Sequence, residues 1–267
     1  MQNRRNLYFY YPKHDIELAQ RMETLFKLAE ENQFNIVEDS RDANIIISIG
    51  GDGAFLQAVR KTGFRDDVLY TGFTRSSESG LYCDFNLDNF NEMLHIMQNE
   101  EMEVRRFPVI NVQVNNDSSF KSLNEVSVRS SIIKSIVIDV FIDDEHFETF
   151  RGDGLIVATP TGSTGYNKSV EGAVIDPKIP CFQVSELASI NNNRYRTLGS
   201  SFILNQNRKL KLSVTQDGND YPIIGLDNEA YSIRNINDIT ITLSEDVIKT
   251  VKLKNNSFWD RVKRTFL

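Results

Sequence analysis

Cysteine is nearly absent: Cys83 and Cys181 are the only two in 267 residues. They are far apart and match neither a disulfide framework nor a metal or redox spacing. They read as small buried residues in a reducing compartment. Histidine is almost as scarce. His14, His95 and His146 stand apart from one another and from both cysteines, so no metal cage is expected. Positive charge is in deficit, with 30 Lys and Arg against 37 Asp and Glu and a formal net charge of −7. Neutralising a nucleic-acid backbone takes a basic face, so no nucleic-acid partner is expected. A small anionic ligand remains open, because it asks only for local N–H groups and one or two cations. Long apolar runs are missing too, since nothing approaches the roughly 18 residues that mark a bilayer span. The polar, basic stretch 1–6 leads into a short apolar run that stops at Pro12, which does not fit a signal peptide. The expectation is a cytoplasmic protein with no membrane segment.

What is present is the make-up of a globular chain, 40% hydrophobic and 25% charged, long enough to bury two ordinary cores without staples. In the first hundred residues strands and helices alternate. Residues 7–11 read as a strand, and 15–33 as a helix whose Leu18, Met22, Leu25, Phe26 and Leu28 recur at helical spacing. Residues 34–37 are a short second strand, 44–49 a third, and 68–73 a fourth, with helices from 55 and over 88–97. That alternation predicts an α/β domain with a doubly wound, mostly parallel sheet, in which ligands bind beyond the carboxyl ends of the strands. From 103 to 244 the texture changes to short alternating runs. Turn residues separate them, including Asn115-Asn116-Asp117, Asp143-Asp144 and Asp217-Gly218-Asn219-Asp220. These predict an all-β antiparallel domain, with one helical pattern at 180–191. The last stretch, 248–267, sets Phe258, Trp259, Val262 and Phe266 on one helical face and Lys254, Arg261, Lys263 and Arg264 on the other. A basic amphipathic end can anchor to a membrane, but a single such helix on an acidic body is expected to pack back onto a domain. The division expected is 1–102, joined by the tail 248–267, and 103–247.

The α/β domain turns on Asn44-Ile45-Ile46-Ile47-Ser48-Ile49-Gly50-Gly51-Asp52-Gly53. Four isoleucines in the first six of these residues fit a buried central strand. The strand feeds a glycine turn and then a helix. Backbone N–H groups there meet the positive end of the helix dipole, and glycines let a phosphate come close. A carboxylate repels phosphate, so Asp52 either acts on a nucleophile, sits beside a bridging cation, or merely caps the helix. The residues alone leave site and cap evenly matched. Residues 74–80, a short, hydroxyl-rich loop ending on Gly80, are a candidate second binding loop at the next strand end.

In the β domain Arg151-Gly152-Asp153-Gly154 reads as an Asp-Gly hairpin turn. A strand follows, then Thr159-Pro160-Thr161-Gly162-Ser163-Thr164-Gly165-Tyr166-Asn167-Lys168-Ser169. Five of the eight residues 159–166 carry hydroxyls, more than a turn requires, which suggests a loop that hydrogen-bonds a ligand. Two familiar motifs are nearly present and fail. Asn167 stands where a Walker loop needs glycine, and Gly152-Asp153-Gly154 does not continue into the dinucleotide fingerprint.

Taken together, these stretches resemble the bacterial NAD kinases. Gly-Gly-Asp-Gly alone is shared with 6-phosphofructokinases and with diacylglycerol and sphingosine kinases. Gly50-Gly51-Asp52-Gly53, then Asn124-Glu125, then residues 159–166 is the NAD kinase motif set, in that order. The similarity extends through Ser185-Glu186-Leu187-Ala188 to Leu226-Asp227 and Phe258-Trp259. It implies that Asp52 is the catalytic carboxylate at the 2′-hydroxyl of the adenosine ribose, with Gly50, Gly51 and Gly53 near the donor phosphates. It implies that Asn124 and Glu125 bind NAD, that Thr164 and Tyr166 lie around the adenine, and that Leu81, Ser169 and Ala188 line the NAD pocket. Asp153 and Asp227 match carboxylates near the nicotinamide end and the adenosine ribose. Arg151 matches a residue that reaches across a subunit contact in a homo-oligomer, a dimer or tetramer. ATP, NAD and Mg²⁺ are the implied substrates and cofactor. The chain departs from the pattern at Ser79-Gly80-Leu81-Tyr82, where the family usually has Leu-Gly-Phe. It departs again at Ala54 and Asn228, where Thr is usual and some relatives carry His. Two rivals stand beside this reading: a lipid kinase of the diacylglycerol type, and a non-catalytic NAD(P)-sensing module.

Overall fold

The computed structural model describes residues 5–75, 80–99, 102–215, 222–232, 236–254 and 256–267. Ser79 and the turn expected at 217–220 lie outside them. The chain divides into two compact units, Met1–Arg106 with Ile248–Leu267, and Phe107–Val247.

The first unit contains β1 (Asn6–Tyr10), α1 (Ile16–Glu31), β2 (Asn35–Ile36), β3 (Ile45–Ile49), α2 (Asp52–Lys61), β4 (Leu69–Thr74), β5 (Cys83–Asn86) and α3 (Phe90–Gln98). The strands pair in the order β5-β4-β3-β1-β2, every pairing parallel. All five residues of β3 are buried, as its near-continuous isoleucine run requires of a strand covered on both faces. Ile45, Ile47 and Ile49 pack with Leu18, Met22 and Leu25 of α1 and with Phe90, Met93 and Leu94 of α3. Ile46, paired in register with Tyr70, points to the opposite face, where Phe55 of α2 meets Tyr70 edge-on. Asp15 caps α1 by accepting the Leu18 N–H at 3.0 Å. Helix α2 stops at Thr62, whose hydroxyl returns to the Ala58 carbonyl at 2.8 Å.

The second unit is a β sandwich. In chain order follow β6 (Met102–Val114), β7 (Ser118–Ser122), β8 (Glu125–Arg129), β9 (Ile136–Ile142), β10 (Glu145–Gly152), β11 (Gly154–Ala158), β12 (Cys181–Leu187), β13 (Phe202–Asn205), β14 (Leu210–Thr215), β15 (Ile223–Leu226), β16 (Glu229–Ser232) and β17 (Asp238–Leu253). One sheet runs β13-β12-β11-β8-β15-β16, antiparallel throughout. On the other, β10-β9-β14-β17 are likewise antiparallel. Val126, Leu155, Val157, Phe182 and Val184 from the first sheet share one core with Ile138, Val140, Leu212 and Ile239 from the second. The late part of β17 belongs to the first unit, where Thr250 pairs in parallel with Tyr70, and α4 (Phe258–Phe266) closes the chain.

Four expectations are corrected. Residues 180–191 are not helical: β12 runs between β11 and β13, buried on both faces from Cys181 to Ser185, so it lacks the alternation that marks a strand. The tail is not one helix from 248, because β17 continues to Leu253 and α4 begins only at Phe258, behind a Ser257–Asp260 capping box. Its faces are also exchanged in part, with Arg261 buried and Trp259 48% exposed. Finally, Arg151-Gly152-Asp153-Gly154 is no hairpin turn. Strands β10 and β11 pair with different neighbours, and the chain crosses between sheets at Asp153.

Candidate active site

The glycine turn forms as its sequence demands. Gly50 and Gly51 have φ of 135° and 84°, a region closed to most side chains, and both amides bond the Phe73 carbonyl at 3.0 and 3.1 Å. Gly51 occupies the N-cap of α2 and makes no side-chain cap bond, so Asp52 is already the first helical residue. Its carboxylate does not cap α2. It accepts the Leu81 N–H through Oδ2 at 2.7 Å and the Tyr82 N–H through Oδ1 at 2.9 Å. Of the two readings that the sequence left open, the helix cap is not the one the structure shows: the carboxylate is presented by the first helical residue and held by the amides of Leu81 and Tyr82. Gly80 permits the approach, because a Cβ there would lie 2.3 Å from Asp52 Oδ1. At Gly51 a Cβ would meet nothing within 4 Å among the described residues. Ala54 has its Cβ 3.0 Å from where a Gly50 side chain would start, which closes the turn from beneath.

In the β unit, Asn124 precedes β8 and Glu125 opens it, and both are bracketed by Asp227, a left-handed residue (φ 52°) in the β15–β16 turn. The Asp227 carboxylate accepts the Ser122 hydroxyl at 2.6 Å, the Leu123 N–H at 3.0 Å and the Asn124 N–H at 2.6 Å. Its own N–H donates to the Glu125 carbonyl at 2.9 Å. Glu125 is buried, and its Oε2 has no hydrogen-bond partner. Burial first, and the Asp227 charge second, push its carboxyl up to about 8. A Cβ on Gly165 would come within 2.9 Å of that oxygen, which places it against the hydroxyl-rich loop.

The sequence suggests a loop that hydrogen-bonds a ligand, and in the structure most of its hydroxyls bond groups of the β unit. Thr159 donates to the Leu123 carbonyl at 2.7 Å, Ser163 to Pro160 at 2.5 Å and Thr164 to Thr161 at 3.0 Å. The residues fold as two short 3-10 turns, Thr161–Thr164 and Tyr166–Val170, whose spare backbone groups these side chains satisfy. Thr161 Oγ1 is the exception, buried and unbonded. Tyr166 OH accepts from Arg129 at 2.9 Å. Asn167, noticed in the sequence only for spoiling a Walker loop, is fully buried and accepts the Ser185 hydroxyl at 2.7 Å.

Of the remaining candidates, Ser169 lies in the second 3-10 turn of the loop. Ser169 and Ala188 are exposed, the latter with a φ of 47°, and Asp153 is exposed at the crossing between sheets. Arg151 donates to Ser135 Oγ at 2.9 Å and lies over the Tyr195 ring at 4.9 Å. The sequence reading missed Asp84, Lys252 and Arg261. Arg261 was hidden in an amphipathic pattern where cations are normally outward.

A strand, a glycine turn and a helix that presents a held carboxylate, in one chain with a β sandwich carrying an unbonded buried carboxyl, fit a phosphate-handling enzyme. Comparison with known proteins narrows the class. A family model described as the ATP-NAD kinase C-terminal domain matches residues 123–253. Over 267 residues the chain is 63% identical to a protein named NAD kinase 2 from Oceanobacillus iheyensis, covering 100% of both. Over 264 residues it is 62% identical to NAD kinase 2 of Bacillus subtilis, covering 99% of this chain and 98% of that one. Among solved structures, yeast NADH kinase crystallised with NADH shares the fold at a TM-score of 0.81 and 16% identity, over 98% of this chain and 87% of that one. An NAD kinase from Archaeoglobus fulgidus in complex with ATP superposes at a TM-score of 0.74 with 25% identity, over 98% and 96%. The chain belongs to the NAD kinase family.

Proposed function

We propose that this chain transfers the terminal phosphoryl group of ATP to the 2′-hydroxyl of the adenosine ribose of NAD, giving NADP. Its activity is that of an NAD kinase, with NAD and ATP as substrates, and full-length identity of 63% to an NAD kinase carries that statement. The residue roles are the proposal. Phosphoryl transfer has a loose transition state, so the protein mainly positions groups and offsets charge. Asp52 orients the ribose hydroxyl and takes its proton as the O–P bond forms. An ionised carboxylate offers about four lone-pair sites, and the Leu81 and Tyr82 amides occupy one on each oxygen, which leaves acceptor capacity for the hydroxyl. Gly50, Gly51 and Gly53 supply the backbone along which donor phosphates lie. Asn124 and Glu125 hold NAD, Glu125 through its unbonded Oε2. Thr164 and Tyr166 flank the adenine, and Ser169, Ala188, Asp153 and Asp227 line the NAD pocket in the β unit. The division of labour follows 1–102 with 248–267 for the phosphates and 103–247 for NAD.

Magnesium is part of the same proposal. Among the described residues no three His, Cys, Asp or Glu side chains gather as a metal cage. An ion carried on nucleotide phosphates keeps most of its waters and needs only one or two protein carboxylates. The room beside Gly51, where a Cβ would meet nothing within 4 Å among the described residues, fits such a complex next to Asp52. When bound, the ion neutralises phosphate charge.

The chain is further assigned to the cytoplasm. No helix among the described residues is long and apolar enough to cross a membrane. A homo-oligomer built through the β unit is supported by Ile133, Phe147, Leu198 and Ile203, which leave large apolar side chains in solvent. Incubating the purified protein with ATP, Mg²⁺ and NAD tests the whole reading: NADP must appear. In a parallel incubation with diacylglycerol in place of NAD, phosphorylated diacylglycerol would make it a lipid kinase, and NAD binding without product would make it a sensing module.

A further inference from the structure

Asp84 of β5, Lys252 of β17 and Arg261 of α4 form a charged cluster sealed from water inside the first unit, their side chains 0%, 0% and 1% exposed. Asp84 Oδ1 accepts from Arg261 at 2.5 Å and from the Lys252 amine at 3.2 Å, while Oδ2 accepts the Leu253 N–H at 3.0 Å. One carboxylate against two cations leaves positive charge in a dry interior. Burial pulls the Lys252 amine down to about 8 and lowers the Arg261 guanidinium as well. Taking such charges out of water offsets much of what their attraction returns, so stability alone is a weak reason for the cluster. Arg261 even leaves Nε and one terminal nitrogen without partners in order to set the other on Asp84.

The geometry that the cluster imposes falls on the segment holding Asp52. The Lys252 amine donates to the Tyr82 carbonyl at 2.5 Å and reaches the Leu81 carbonyl at 3.5 Å. The N–H groups of the same two residues donate to the Asp52 carboxylate. Residues gripped at their carbonyls by Lys252 and at their amides by Asp52 cannot shift without disturbing both. The Tyr82 ring lies flat on Phe55 of α2, with centroids 4.8 Å apart and planes at 7°, so the segment is also fixed against the helix that Asp52 begins.

We propose that Asp84, Lys252 and Arg261 are positioning residues for Asp52, through which the C-terminal helix sets the orientation of that carboxylate by way of Tyr82 and Leu81. The inference rests on the reading of Asp52 as the group that acts on the ribose hydroxyl.

Lys252→Met keeps an unbranched apolar stem and removes the ammonium. The expected result is a kcat lower by about tenfold or more, KM for NAD and for ATP within about threefold, and a cooperative thermal transition that persists. Lys252→Arg, which restores a buried donor, recovers most of the rate. The deciding measurement is a double-mutant cycle with Asp52→Asn. A residue that works only by aiming Asp52 has nothing left to aim in that background, so Lys252→Met then changes the residual kcat by less than about twofold. An equal loss in both backgrounds would make the cluster a structural prop and overturn the proposal. So would a wild-type kcat in Lys252→Met beside a slow Asp52→Asn, which leaves Asp52 as the acting group but unaided. Asp52→Asn at wild-type kcat would remove the reading of Asp52 itself, and the positioning role with it. If Lys252→Met does not fold, Arg261→Lys, which keeps the charge but withdraws the guanidinium fork from Asp84, enters the same cycle under the same criteria.

Discussion

Asp227 sits beside Glu125 with its own carboxylate saturated by the Ser122 hydroxyl and the Leu123 and Asn124 amides, while Glu125 Oε2 is buried without a partner. Burial first, and the Asp227 charge second, disfavour the ionised form of Glu125. Glu125 is accordingly pushed from 4.5 up to about 8.

A pH dependence follows. The folded chain retains a proton on Glu125 where the unfolded chain has released it. Its contribution to stability is therefore full below about pH 4.5 and is lost as pH rises to about 8. Glu125→Gln mimics the neutral acid and has no proton to lose. Melting curves of the NAD-free protein should show the wild type falling below Glu125→Gln between roughly pH 5 and pH 9, with the difference smallest at the acid end. A difference that does not vary with pH would mean that Glu125 is ionised throughout.

Asp52→Asn keeps the size of the side chain and one acceptor but removes the charge and the base. It also turns an amide group toward the Leu81 or Tyr82 N–H, so a small loss of Tm accompanies a kcat lower by at least about 10². Steady-state rates within a few-fold of wild type would leave Asp52 as a loop anchor only.

Gly80→Ala tests the approach of the loop to that carboxylate. The new Cβ would start 2.3 Å from Asp52 Oδ1, so either the loop or the carboxylate must move. A fall in kcat of about tenfold, larger than any change in KM, is expected from displacement of a group that acts in the transition state. An unchanged kcat would show that the loop yields without disturbing Asp52.

Asn124→Ala and Glu125→Ala should weaken NAD far more than ATP. Leaving a ligand's buried polar group unpaired costs about 1–3 kcal/mol, roughly ten- to hundredfold in affinity. Equal losses for both substrates, read by titration of each ligand separately, would instead report damage to the β sandwich.

Arg151 is the probe of assembly. Within its own chain it bonds Ser135 and covers the Tyr195 ring, so Arg151→Ala carries a stability cost of its own, on the order of 1 kcal/mol. If it also completes a neighbour's NAD site, NAD affinity falls beyond what the melting temperature explains. Sedimentation alongside activity on dilution checks this. A fully active monomer, or wild-type NAD affinity in Arg151→Ala, would rule out a site completed across an interface.

Much of this was legible in the order of the residues. The isoleucine run at 45–49, ended by Gly50 and Gly51, reads as a strand covered on both faces, and all five of its residues are buried. The Asn115-Asn116 and Asp143-Asp144 turns adopt the left-handed backbone those residues tolerate. The motif series from Gly50 to Asp227 resembles that of the NAD kinases in its order, and that resemblance is a property of the sequence by itself. Misreadings gathered where burial hides periodicity: β12, buried on both faces, looked helical, and β17 was cut short where its late residues sink into the first unit. Local sequence also gave Asp52 two equal meanings. Only the arrival of Leu81 and Tyr82, thirty residues on by chain order, turned it from a cap into a held carboxylate. The same holds at the other end of the chain. Arg261 has the spacing of an outward cation, and nothing in its neighbours says otherwise. Its place is decided by Asp84, 177 positions away, because a buried carboxylate can be satisfied only by whatever charge the fold carries to it.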